Sequence, residues 1–370
     1  MEALLAGRLS VLPVPARDPR ENSLLRTALR ADGAIDDDVA LVVSTSGTTG
    51  TPKGAMLTAA ALTASASAAH DRLGGSGRWL LALPAHHIAG MQVLIRSVLA
   101  GTTPVALDVS GGFDVSALPR AVSLLSRGRS RGRYASLVAA QLAKALADPP
   151  AAAALAELDA VLVGGGPLPA AVAAKAVETG IRVVRTYGMS ETAGGCVYDG
   201  VPLDGVRMRV DDTRVVLGGA TLAKGYRNPV SPDPFCEPGW FRTDDAGSIA
   251  CGVLTVHGRL DEGISTGGLT VLPQMVEAVI AAHPAVAQCA VFGVPDVRLG
   301  QRVVVAVVPA PAGQPPSLEQ LRAHVAASLD RNAAPRSMHL VDELPVRGIG
   351  KVDRRALAER FGGLGGASSV

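Results

Sequence analysis

The chain has 370 residues, 48% of them hydrophobic and 18% charged, and a formal net charge of +2. That length suits one large domain with a smaller one, and the hydrophobic share excludes global disorder. The charge gives no electrostatic case for nucleic acid or an anionic membrane, and no apolar run is long and clean enough to span a bilayer.

Strand and helix signals alternate along the first half, which predicts an α/β protein. The opening residues, MEALLAGRLSVLPVPARDPRE, lack a basic stretch followed by a long apolar run and do not read as a signal peptide. A short apolar strand at Ala40–Val43 runs into a Gly/Thr/Ser loop, Ser44–Gly54. An Ala-rich helix follows over Thr58–His70, with Thr58 as its N-cap. Leu80–Leu83 reads as the next strand. Arg127, Arg129, Arg131 and Arg133 read as a solvated loop before another strand. Ala160–Val163 is a strand that breaks at Gly164. Pro169 sits in the first turn of a helix that stops at Gly180. Arg182–Arg185 is a strand leading into Thr186–Thr192. In such sheets, binding sites gather at the carboxyl ends of the strands.

Beyond about Gly200 the texture changes to short alternating segments, Arg214–Leu217, Ser248–Ala250 and Leu254–Val256. A further unit follows, with a helix near Pro273–Ala282 and strands at Ala287–Phe292 and Val303–Val308. Ser317 and Gln320 form a capping box for a helix over Leu318–Leu329. The domain boundary is expected near Leu260–Glu262, giving domains 1–260 and 261–370. The tail GGLGGASSV is expected to be disordered. Cys196, Cys236, Cys251 and Cys289 are scattered with no zinc-ligand spacing. Reduced thiols in a cytoplasmic protein are the simplest account.

The strongest chemical signal lies in the first loop. Ser44, Thr45, Ser46, Thr48 and Thr49 supply hydroxyls, Gly47 and Gly50 let backbone approach an anion, and Lys53 supplies charge. This is a polyphosphate-gripping loop, yet not the P-loop of NTPases, because Lys53 is followed by glycine. Four more motifs follow in order: Thr186-Tyr-Gly-Met-Ser-Glu-Thr192, Gly239-Trp-Phe-Arg-Thr-Asp-Asp-Ala-Gly247, Gly258-Arg-Leu-Asp261 and Pro345-Val-Arg-Gly-Ile-Gly-Lys351.

At these five motifs the chain resembles the acyl-adenylate-forming superfamily of acyl- and aryl-CoA synthetases, adenylation domains and luciferases. The resemblance runs from about residue 40 to about residue 357. It implies a large adenylating α/β domain with a small β-barrel-like subdomain, then a small mobile α+β domain. It implies ATP, Mg²⁺ and CoA as partners in a two-step ligation. Glu191 would hold Mg²⁺ against the phosphates. Tyr187 would stack on adenine, with Gly164, Gly165, Gly166, Thr186, Gly188, Met189, Ser190 and Thr192 around the nucleotide. Asp245 would hold the ribose, although the family's usual glycine before it is replaced by Asp244. Arg259 would touch the ribose or α-phosphate. Lys351 would neutralise charge built on the α-phosphate during carboxylate attack. Asp261 maps to the hinge, and Gly267 and Gly268 to the loop used in the CoA step.

The stretch from Pro84 to Ser97, PAHHIAGMQVLIRS, resembles the o-succinylbenzoate–CoA ligase branch, as does Ser136-Leu-Val-Ala-Ala-Gln-Leu142. That branch implies o-succinylbenzoate, a dicarboxylate, as the acid. His87 would line the acyl pocket and act in catalysis, and Gly165 and Gly188 would border it. Arg96, a charge inside an apolar run, would answer the second carboxylate. The sequence leaves open another aryl- or acyl-CoA ligase, or a carrier-loading adenylation domain. Only about forty residues precede the phosphate loop. Part of the usual large domain is therefore expected to be absent, with a homodimer covering the exposed surface.

Overall fold

A computed structural model of the chain describes residues 1–45, 52–125, 132–311, 314–347 and 351–362. The chain divides into two units. The first comprises Met1–Asp211, Val216–Thr243 and Ile249–Leu254; the second comprises Asp212–Val215, Asp244–Ser248 and the chain from Thr255. Among the described residues no helix is long and apolar enough to cross a membrane.

In the first unit, β1 (Val39–Thr45) pairs antiparallel with β2 (Lys53–Thr58). The sequence reading has no strand at β2; its strand character comes from pairing with β1, which buries Ala55 and Leu57 completely. The following helix, Ala59–Leu73, starts where expected, and the Thr58 side chain accepts from the Ala61 amide.

The main sheet is built from β3 (Gly77–Leu81), β4 (Val105–Ala106), β5 (Gly132–Val138), β6 (Ala160–Gly164), β7 (Val183–Met189), β8 (Gly194–Tyr198) and β9 (Val201–Pro202). Their spatial order is β4-β3-β5-β6-β7-β8-β9. Pairs from β4 to β7 are parallel, and β8 and β9 add antiparallel. Helices Leu118–Leu125, Ala139–Leu146 and Pro149–Ala156 bring Leu118, Val122, Leu142 and Leu155 against Leu80, Leu137, Val161 and Val163. Burial on that scale explains why these strands read as continuous apolar runs. Pro169 is the N-cap of the helix Ala170–Glu178 and stands just before its first turn.

A four-stranded sheet of order β10-β11-β12-β13 follows: Val206–Asp211, Arg214–Gly219, Trp240–Ala250 and Val253–Arg259.

The rest of the second unit centres on β14 (Ile264–Thr266), β15 (Leu269–Val271), β16 (Val286–Asp296), β17 (Gly300–Pro309) and β18 (Ser337–Leu340), one five-stranded sheet. Alternation along β17 builds two cores. Val303, Val305 and Val307 face helices Pro273–Ile280 and Leu318–Ala326 through Val276, Ile280, Leu321 and Val325. Val304 and Ala306 face the other way, with Phe292 and Leu357 of the helix Arg354–Phe361. The capping box forms as the spacing predicts: the Gln320 amide donates to Ser317 Oγ at 3.2 Å, and the Ser317 amide donates to Gln320 Oε1 at 2.8 Å. The arginine-rich segment 127–131 and the tail from 363 lie outside the described residues.

Candidate active site

Strands β1 and β2 carry the two ends of the segment read in the sequence as a phosphate loop. Ser44 pairs with Gly54 and Thr45 with Lys53 at the open end of the β1–β2 ladder. Ser46, Gly47, Thr48, Thr49 and Gly50 lie outside the described residues. The segment Lys224–Asn228 runs along the other edge of β2. The Lys224 amide donates to Met56 O at 2.9 Å, Met56 to Gly225 O at 3.0 Å, and Arg227 to Gly54 O at 2.7 Å. The Asn228 side chain accepts from the Gly54 amide at 3.2 Å and donates to Pro52 O at 2.7 Å.

At the carboxyl ends of the central strands, bare backbone is required. A Cβ on Gly164 would lie 2.3 Å from Thr186 Oγ1, and one on Gly188 would lie 2.2 Å from Gly194 O. Gly165 and Gly166 continue the chain past the end of β6. β7 extends through Met189, so Tyr187 lies on a strand, opposite Val197 at a register shift. The sequence reading ends that strand at Arg185, where it leads into Thr186–Thr192. Its partner β8 keeps it extended. Ser190–Thr192 then form one tight turn, held by the Met189 amide donating to Thr192 Oγ1 at 3.0 Å. Glu191 in that turn is 7% exposed, and the Tyr226 hydroxyl donates to its Oε1 at 2.6 Å. Among the described residues, no group of three or more His, Cys, Asp or Glu could cage a metal. One buried carboxylate fits Mg²⁺, which takes one or two carboxylates and completes its shell with phosphate and water.

His87 caps the start of the helix Ile88–Leu99 with extended backbone, beside His86 at 4.3 Å between ring centroids. Burial lowers the His86 pKa. Arg96 lies nine residues further along, about 14 Å up the helix axis. It is 3% exposed. Its guanidinium sits 4.8 Å over the Trp79 ring and donates to the Tyr198 hydroxyl at 3.3 Å, while Nε has no partner among the described residues. Burial, aided by the Arg96 charge, lowers the neighbouring His70 to about 4, so His70 is neutral near pH 7.

In the second unit, Arg259 gathers three aspartates. It makes a bidentate pair with Asp261, both contacts at 2.8 Å, and lies 3.7 Å from Asp245 and 3.5 Å from Asp244. Burial works against its charge, but these carboxylates prevail and raise its pKa. The Asp245 side chain is 10% exposed, whereas that of Asp244 is 52% exposed and also reaches Arg214 at 3.4 Å. Gly267 and Gly268 form the two-residue turn between β14 and β15, at φ +58° and +81°. Left-handed conformation at both central positions is the reason for a glycine pair there. Lys351 pairs its backbone with Arg347 across a short hairpin; Gly348 and Gly350 lie outside the described residues.

The description "AMP-binding enzyme" matches residues 10–226, and "AMP-binding enzyme C-terminal domain" matches residues 275–351. The chain belongs to the AMP-binding enzyme family. Within that family it is 68% identical, over 93% of its length and 90% of the relative's, to a probable 2-succinylbenzoate–CoA ligase of Mycobacterium tuberculosis. The o-succinylbenzoate CoA synthetase of Bacillus subtilis, solved with its acyl-adenylate intermediate, superposes with a TM-score of 0.73 at 28% identity, covering 88% of this chain and 72% of that one. The same enzyme solved with ATP and a magnesium ion gives 0.73 at 28%, covering 86% and 70%. The AMP-binding fold, with its α/β sheet and separate C-terminal domain, is the one expected from the motifs.

Sequence reasoning passed over Tyr226, Asn228 and Arg354. The first two stand in Gly225-Tyr-Arg-Asn228, where a tyrosine in a chain with four tyrosines was the available signal.

Proposed function

We propose that this chain is an ATP-dependent ligase that converts o-succinylbenzoate and CoA to o-succinylbenzoyl-CoA through an acyl-adenylate. The 68% identity to the mycobacterial probable ligase over nearly the whole chain carries the choice of acid. The five ordered motifs support the reaction class.

In this reading the loop 44–50 and Lys53 hold the polyphosphate, and Tyr187 and the bare backbone at Gly164–Gly166 receive the adenine. Asp245 takes the ribose hydroxyls, with Arg259 beside it. Glu191 is the protein ligand for Mg²⁺, which when bound neutralises phosphate charge. Lys351 stabilises the charge that builds on the α-phosphate as the acid's carboxylate attacks and pyrophosphate leaves. For the second step Asp261 serves as hinge between domains 1–260 and 261–370, and the Gly267–Gly268 turn serves thioester formation. His87 borders the acyl group. Arg96 answers its second carboxylate, a role favoured by a buried guanidinium whose Nε lacks a partner among the described residues. The reading places the reaction in the cytoplasm and includes a homodimer, which sedimentation velocity tests.

The deciding assay measures AMP formation with o-succinylbenzoate, benzoate and medium-chain fatty acids, each with and without CoA. The expected result is turnover with o-succinylbenzoate at a kcat/KM at least about 100-fold above the others, a gap of roughly 2.7 kcal/mol. Equal turnover of benzoate would overturn the choice of acid, and AMP release without thioester in the presence of CoA would overturn the ligase assignment.

A further inference from the structure

We infer that Tyr226 is a positioning residue that fixes the Glu191 carboxylate for metal–nucleotide binding. The inference rests on the reading of Glu191 as the Mg²⁺ ligand. It starts from a contact between residues 35 apart in sequence: the Tyr226 hydroxyl donates to Glu191 Oε1 at 2.6 Å.

Three observations make this more than a surface contact. The ring is held in place. Phe235 meets it edge-on at 5.5 Å and is itself packed on Phe241 at 4.7 Å, in a chain with only 3% aromatic residues. The backbone is held as well, because Tyr226 bridges to Ala55 within the strap along β2. Both ends of that strap are anchored: Lys224 pairs with Asp36 at 2.8 Å and Asp38 at 2.7 Å, and the Arg227 guanidinium donates to Ala34 O at 2.6 Å and Gly33 O at 2.9 Å. Finally, the face of the same ring lies 5.5 Å from Lys53 Nζ. One side chain therefore bonds the carboxylate through its hydroxyl and presents its ring to a cation on β2.

The chemistry explains the use of tyrosine. A carboxylate that receives a charge-assisted hydrogen bond is fixed in direction. A metal ligand held by a hydrogen-bonded partner is pre-oriented, and loss of such a partner weakens metal affinity by tenfold to a hundredfold. Phenylalanine at 226 would keep the ring, its packing on Phe235 and its face toward Lys53, and would delete only the donor.

The test compares wild type, Tyr226→Phe, Glu191→Gln and the double variant. The dissociation constant of Mn²⁺, a spectroscopic probe for Mg²⁺, is measured by electron paramagnetic resonance with a non-hydrolysable ATP analogue. Thermal midpoints and the KM for the acid are recorded alongside. Tyr226→Phe is expected to weaken Mn²⁺ binding about tenfold with the acid KM and the midpoint held. Glu191→Gln is expected to weaken it further, and the double variant no more than Glu191→Gln alone. If Glu191→Gln binds Mn²⁺ as wild type does, the metal-ligand reading fails and the inference falls with it. If Glu191→Gln weakens binding but Tyr226→Phe does not, the inference alone falls. Additive losses in the double variant would also overturn it, since Tyr226 would then act independently of Glu191.

Discussion

Arg354 stands three residues after Lys351 and ties the final helix to the turn that holds Asp261. Its guanidinium donates to Glu262 Oε2 at 2.8 Å, to Glu277 at 2.9 and 2.8 Å, and through Nε to Val291 O at 3.1 Å. The Arg354, Glu277 and Glu262 side chains are 19%, 14% and 21% exposed. Arg354→Met keeps most of the stem and leaves the two carboxylates without this cation. Orphaning one member of a fully buried pair costs about 3–5 kcal/mol, and the residual exposure lowers the expected loss to about 2–4 kcal/mol. At about 2–4 °C per kcal/mol, the melting temperature should fall on the order of 10 °C. The pH dependence has a definite sign. Burial raises the Glu277 pKa even with Arg354 opposing it, and removing Arg354 raises it further. A carboxyl raised in the folded state favours folding when protonated. Its penalty is absent below the unfolded value near about 4.3 and grows as pH rises through the folded value. The melting gap between variant and wild type should therefore widen from pH 5 to pH 8, by differential scanning calorimetry of the full chain. Glu277→Gln added to Arg354→Met should recover about half the loss, since the amide oxygen can still accept from the Val291 amide that now donates at 2.7 Å. A variant melting within about 2 °C of wild type at pH 8, or a gap that narrows with rising pH, would refute the orphaned-charge reasoning.

Two predictions concern the chemistry. Lys351→Ala should slow o-succinylbenzoate-dependent pyrophosphate exchange at least about 100-fold, while thioester formation from synthetic acyl-adenylate stays within about threefold. Equal losses in both half-reactions would remove the step-specific role of the lysine. Asp245→Asn should raise the KM for ATP about tenfold, because a buried charged acceptor is lost, and Asp244→Asn less than about threefold. Equal effects, or the reverse order, would move the ribose contact to Asp244.

Much of the fold was legible because its elements follow local rules. The parallel strands announce themselves as apolar runs, Thr58 and Ser317 cap their helices, and glycine pairs mark turns. Two of the missed strand segments have a shared cause. β2 and the outer half of β7 are strands by virtue of their partners: β2 pairs with β1, and Thr186–Met189 pair with β8 across a register shift. Nothing within Lys53–Thr58 or Tyr187–Met189 demands extension, since Gly54 and Gly188 argue locally for a break. A long-range ladder overrides them.

The site divides along the same line. Residues proposed to meet a ligand could be named from the sequence because ligand chemistry restricts residue type: hydroxyls and glycine for phosphate, an acid for ribose, a lysine for developing charge. Residues that hold those groups in place could not, because their partners are remote in sequence. Tyr226 reaches Glu191 across 35 positions, and Arg354 reaches Glu277 across 77. Asp244 and Asp245 show what the backbone adds. As letters they are interchangeable, yet one lies 52% exposed on Arg214 while its neighbour is nearly sealed. Arg96 combines both cases. A cation in an apolar run states its need for a partner, and only the fold reveals how little the interior supplies, a ring face and one hydroxyl among the described residues. In the proposed reading, a dicarboxylate whose second charge met that guanidinium would supply what the protein leaves out, and the cost of burying Arg96 would then disfavour monocarboxylates.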